Sequence, residues 1–66
     1  EDFMRDNIEA ERYRLRMTKT AMCSVLGVTL KTYNAYIAGA SIPSSKLEIL
    51  RKLTGRSVDY LLGLTS

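Results

Sequence analysis

A chain of 66 residues with a net charge of +3 holds one small core, because so short a chain buries only about 60% of the surface that its unfolded form exposes. One cysteine, Cys23, and no histidine exclude a disulfide framework within the chain and the common zinc sites of Cys and His, so helix packing or a partner must stabilise that core. A lone thiol fits a reducing compartment, and no apolar run approaches the roughly 18 residues of a membrane span. The N-terminus lacks the basic-then-apolar order of a signal peptide, so the expected location is cytoplasmic. Met4 is a candidate natural start, with Glu1 to Phe3 added ahead of it.

The first predicted helix begins at Asp6 or Asn7, either able to cap free N–H groups, and ends near Arg16, with apolar positions at Ile8, Ala10, Tyr13 and Leu15. Thr18 caps a short second helix. Met22, Val25 and Leu26 recur there at three- and four-residue spacing, while small Ala21 and Cys23 allow close contact. Gly27 follows where a helix leaves through the left-handed region, and Gly27-Val28-Thr29 forms the turn. Thr29 caps a third helix, Leu30 to Ala38. Its apolar stripe is Tyr33, Tyr36 and Ile37, and Leu30, Lys31, Asn34 and Ala35 lie on the other side. Gly39 stops it. After the loop Ala40-Ser41-Ile42-Pro43, Ser44 or Ser45 caps a fourth helix with Leu47, Ile49, Leu50 and Leu53 as its apolar positions, ended by Gly55. Ser57 caps a final short helix with Asp59 in its first turn and Val58, Leu61 and Leu62 facing inward. The reading is a single all-α domain of five helices.

Charge is distributed unevenly. Residues 1–11 hold five acids and one base, whereas residues 12–56 hold nine bases and a single acid, Glu48. A field of +8 over that middle segment suits a polyanion, DNA or RNA.

Two short helices joined by a three-residue turn containing glycine are the arrangement that lets a second helix lie in a DNA major groove. From Ile8 to Gly63 the order of features resembles the lambda-repressor and Cro-type, or XRE-like, helix-turn-helix family. The matching residues are Met17-Thr18-Lys19 leading into Met22-Cys23, then Leu26-Gly27-Val28-Thr29, Tyr33, Tyr36 and Gly39. Farther on come Ile42-Pro43, the Leu47/Leu50/Leu53 stripe and Gly55-Arg56-Ser57-Val58-Asp59-Tyr60-Leu61-Leu62-Gly63, the run most like the family's closing segment. The resemblance implies a five-helix DNA-binding domain, its helix-turn-helix over residues 18–38.

It also implies roles. Lys19 stands at the start of the second helix, where the family has a glutamine that touches a phosphate. Thr29, Leu30, Lys31, Asn34 and Ala35 fall on positions that face base edges. An asparagine such as Asn34 can bridge N6 and N7 of adenine, Lys31 can reach guanine O6 or N7, and Leu30 or Ala35 can pack on a thymine methyl. Thr32, Ser44, Ser45 and Lys46 are the further phosphate candidates, the last three at a helix N-terminus. Tyr33 and Tyr36 take apolar positions of the family and belong to the core. Family members pair an arginine of the first helix with a glutamate near the end of the third; here Arg12 has the first place but Ile37 the second, so Arg12 must find carbonyls or another acid, or stay at the surface. Arg56, where the family is apolar, is expected to point to solvent.

An enzyme finds little support: there is no histidine for acid–base work, no phosphate-binding glycine loop and no metal cluster, and Glu9 and Glu11 lie two apart on different helix faces. Cys23 reads as core. The expectation is a DNA-binding transcriptional regulator of phage or bacterial type, a repressor, without catalytic residues, cofactor, metal or small-molecule substrate. Its partners are a double-stranded operator and a second copy of itself, paired around Val58, Tyr60 and Leu64. The rival is a protein-interaction module, or the antitoxin half of a toxin–antitoxin pair, on the same fold.

Overall fold

Hydroxyl side chains start three of the helices. In the computed structural model, which describes residues 5–64, the order is α1 (Asp6–Arg14), α2 (Lys19–Leu26), α3 (Leu30–Ile37), α4 (Ser44–Thr54) and α5 (Val58–Leu61), with no strand among the described residues. Met4 and the three residues before it lie outside that range. No described helix is long and apolar enough to cross a membrane. The Oγ1 of Thr18 accepts from the Ala21 N–H at 3.0 Å, that of Thr29 from Thr32 at 3.2 Å, and Ser57 Oγ from Tyr60 at 3.1 Å. Each such cap is worth about 1 kcal/mol. Gly27, at φ +71°, turns the chain out of α2 in a conformation that side chains resist, and Val28 and Thr29 complete the turn into α3.

The other two caps differ from expectation. Neither Asp6 nor Asn7 caps α1: Arg5 stands at that position with no side-chain cap, and the Asn7 amide instead donates to the Tyr60 carbonyl at 2.7 Å, tying α1 to α5. Ser44 and Ser45 are the first residues of α4 rather than its cap, which is Pro43. Helix α1 also ends at Arg14, before the predicted Arg16, because Arg16 adopts φ +58° and Met17 N–H closes back on the Arg12 carbonyl at 3.0 Å.

Ile8, Met22, Leu26, Tyr33, Leu50 and Leu61 are almost wholly enclosed and form the centre of one core, completed by Cys23, Tyr36, Ile37 and Ile42. Helix α1 packs against α3 and α5, α2 against α3 and α4, and α4 against α5. Three predicted apolar positions are wrong. Ala10 is exposed, Tyr13 is 70% exposed and Val25 44% exposed, while Cys23 is buried on α2.

In place of Tyr13, α1 buries Glu11 and Arg12 beside Ile8. A buried charge is costly unless paired and hydrogen-bonded, and both are. The Arg12 guanidinium holds Glu9 through two bonds of 3.0 and 2.8 Å and donates to the Met17 carbonyl at 2.7 Å. Tyr33 of α3 donates its hydroxyl to the same Glu9 carboxylate. Arg12 therefore finds an acid and a carbonyl, the acid lying on α1 itself and reached from α3 through Tyr33. The bond from Arg12 holds the Glu9 carboxyl below the usual carboxylate range; burial, then Glu9, pushes the Tyr33 hydroxyl up.

Glu11 accepts from Arg14 at 2.8 Å and from Arg56 at 3.1 Å, and Arg14 also donates to the Thr54 carbonyl at 3.0 Å, joining α1 to the end of α4. Burial pushes the Glu11 carboxyl up, yet the two arginines outweigh it and leave its pKa lowered. Arg56, half-exposed, is thus engaged rather than free in solvent: it reaches from past α4 to α1 and lies over the Tyr60 ring at 5.1 Å.

Candidate nucleic-acid interface

Helix α3 divides cleanly into two faces. Tyr33, Tyr36 and Ile37 are buried, as their spacing predicts, and Leu30, Lys31, Asn34 and Ala35 are exposed on the other side. Leu30 is 50% exposed, so an apolar side chain stands beside a lysine and an amide on one open surface.

That helix is anchored along its length. Tyr33 fixes its middle to Glu9, and Arg5 closes its C-terminal end. The Arg5 guanidinium donates to the carbonyls of Tyr36 at 2.9 Å, Ala40 at 2.6 Å and Gly39 at 3.3 Å, while its backbone N–H donates to the Ile37 carbonyl at 2.6 Å. A cation on these carbonyls suits the negative end of the helix. Sequence reasoning missed Arg5 altogether, because its partners lie more than thirty residues along the chain and no local pattern marks the pairing.

The predicted contact residues come together only in part. At the start of α2, Lys19 Nζ donates to Asn34 Oδ1 of α3 at 3.2 Å, so a candidate phosphate contact and a candidate base contact touch each other. At the start of α4, the Lys46 ammonium lies 3.7 Å from where a Cβ on Gly27 would stand, which sets it against the turn between α2 and α3. Ser44 and Ser45 are exposed beside it, and their side chains make no hydrogen bond among the described residues. Thr29 is occupied: its hydroxyl accepts from the Thr32 N–H and donates to the Thr32 Oγ1 at 3.1 Å. Thr32 keeps its own hydroxyl proton. Lys31 and Ala35 are exposed, and Lys31 has no ion pair or hydrogen bond among the described residues.

Sorting the cations by partner shows where charge is left over. Arg12, Arg14 and Arg56 face Glu9 and Glu11; Arg51 and Lys52 face Glu48 at 2.6 and 4.0 Å. Arg5 donates to carbonyls, and Arg16, Lys19, Lys31 and Lys46 form no ion pair among the described residues, although Lys19 lies near enough to Glu9 to help lower its pKa. Three of these are the first residue of α2, the second of α3 and the third of α4. The first turns of those same helices hold no acid, whereas α1 carries Asp6 and Glu9 in its first turn and α5 carries Asp59. The positive end of a helix dipole favours acids, so a lysine in a first turn works against the helix and in favour of an external anion.

Among the described residues no group of three or more His, Cys, Asp or Glu side chains stands close enough to hold a metal ion, and Cys23 is buried as a free thiol. No protein-family model matches the chain, and neither a curated protein nor a solved structure is detectably similar to it.

Proposed function

We propose that the chain is a sequence-specific DNA-binding domain of the lambda-repressor helix-turn-helix kind, in which α2, the Gly27–Thr29 turn and α3 form the motif and α3 lies in the major groove. The observation that carries this reading is the placing of Lys19, Lys31 and Lys46 in the acid-free first turns of α2, α3 and α4, with Lys19 bonded to Asn34 of α3 and Lys46 set against the Gly27 turn. Lys19, Lys46, Ser44, Ser45 and Thr32 contact phosphates, where side-chain donors and free helix N–H groups meet the same anion. Lys31, Asn34, Leu30 and Ala35 read base edges, and Thr29, with its hydroxyl held by Thr32, offers its methyl group there. The role is binding, not catalysis, and its outcome is transcriptional repression.

A dimer with two-fold symmetry on half-sites about 34 Å apart fits this docking geometry. Leu64, 69% exposed just past α5, is the apolar side chain that such a pairing would cover, together with the half-buried Val58 and Tyr60.

Selection of random duplex DNA by the domain, read by sequencing, tests the proposal. Recovery of a pseudo-palindromic motif that disappears in Lys31→Ala/Asn34→Ala is the expected result. Salt-sensitive binding without sequence enrichment, or capture of a protein partner in place of DNA, would shift the role to a protein-interaction module such as an antitoxin.

A further inference from the structure

Lys19 reaches across from the start of α2 to Asn34 of α3. Its ammonium group can only donate, so the oxygen of the Asn34 amide, and not its nitrogen, must be the atom that faces it across 3.2 Å. The amide group is planar. With Oδ1 turned toward the start of α2, Nδ2 and its two hydrogens are directed away from it, and Asn34 is exposed, so those hydrogens are free to meet a ligand.

We propose that Lys19 is a specificity-determining residue that biases Asn34 toward the acceptor edge of guanine in the major groove. This rests on the DNA-binding reading above and sharpens it. A free asparagine pairs with adenine by accepting from N6 while donating to N7, and so needs its oxygen at the base. Lys19 takes one of the two lone pairs of the Asn34 oxygen and sets its positive charge beside the other. Adenine placed opposite would bring its N6 amino group up against that ammonium, whereas guanine offers two adjacent acceptors, O6 and N7, to the amide hydrogens and the ammonium. The preferred base opposite Asn34 is therefore guanine. Lys19 retains two further protons, enough to contact a phosphate while it holds the amide, so one side chain joins a backbone contact to a base contact.

The geometry also explains why this lysine stands at the first residue of α2, where the dipole disfavours it. There it faces both the candidate DNA backbone and the amide of α3.

The test is base preference, position by position, in duplex selection with the wild type, Asn34→Ala, Lys19→Met and Lys19→Arg, each checked for helical content first. Asn34→Ala identifies the base pair that Asn34 reads. At that pair the wild type and Lys19→Arg, which keeps a donor-only group, prefer guanine over adenine by at least about fivefold, and Lys19→Met moves the preference toward adenine. A wild type that prefers adenine there would overturn the inference, as would a Lys19→Met variant that binds every sequence more weakly but keeps the wild-type preference. In both of these cases the sequence-reading role itself survives; selection of no motif by any of the folded proteins would remove that role as well.

Discussion

The arginines of α1 and the lysines at the starts of α2, α3 and α4 bear the same charge and meet opposite fates. Arg12 is enclosed and makes bonds to Glu9 and Met17, and Arg14, half-exposed, holds the buried Glu11 and the end of α4. Lys19, Lys31 and Lys46 form no ion pair among the described residues and stand where the helix dipole opposes them. Positive charge in the first region holds three helices together; in the second it faces outward. A total of +8 over residues 12–56 conceals this division, since most of the arginines are answered by the chain's own acids.

Breaking the first region has the largest expected effect. Arg12→Ala takes the shared guanidinium donor from Glu9 and the Met17 carbonyl and leaves the Glu9 carboxylate with the Tyr33 hydroxyl alone, and it should lower the unfolding free energy by about 3 kcal/mol. A domain of this size has only roughly 3–10 kcal/mol to lose, so chemical denaturation should find the variant largely unfolded or close to it. The salt dependence of DNA binding by whatever fraction folds should not change. A stable Arg12→Ala protein would show that the buried network matters less than the apolar core around it.

Glu11 offers a smaller effect whose size depends on pH. Its pKa is lowered in the folded chain, so its stabilising contribution is complete above the ordinary carboxylate value near 4.5 and is lost as pH falls through the lowered value. Glu11→Gln should cost about 2 kcal/mol at neutral pH, less than the loss at Arg12 because Arg14 and Arg56 are half-exposed and recover water. Denaturation at pH 7 and at pH 3 checks this: the gap between wild type and variant should narrow at the lower pH. A gap that stays constant would mean that Glu11 acts through packing alone.

The same contrast explains how much could be read from the sequence. Thr18, Thr29 and Ser57 act within three residues of themselves, as do the Gly27 turn and the stripe of Tyr33, Tyr36 and Ile37, and all were legible. The buried face of α1 was not. Hydropathy marks Tyr13 as apolar and Glu11 and Arg12 as surface, and only partners such as Arg56, forty-five residues away, make the enclosed acid tolerable. The capping role of Asn7 failed for the same reason, since Tyr60 claims its amide from α5. Exposure of the candidate contact residues on α3 followed from periodicity, but the Lys19–Asn34 bond and the Arg5 clamp join elements that no local pattern connects. Short-range spacing does hold one unused signal: Glu9–Arg12, Glu11–Arg14 and Glu48–Arg51 are all three apart, a helical spacing that by itself separates these paired arginines from Lys19, Lys31 and Lys46.

The central claim is that the lysines are held for an external polyanion, and the most direct measurement is the salt dependence of binding to one fixed duplex by the wild type and by Lys19→Ala/Lys46→Ala, with thermal unfolding in parallel. Two lost phosphate contacts should make the slope of log K against log salt shallower by about 1.8, while the unfolding temperature stays level or rises as two cations leave first turns that disfavour them. An unchanged slope, or a marked loss of stability without one, would contradict it.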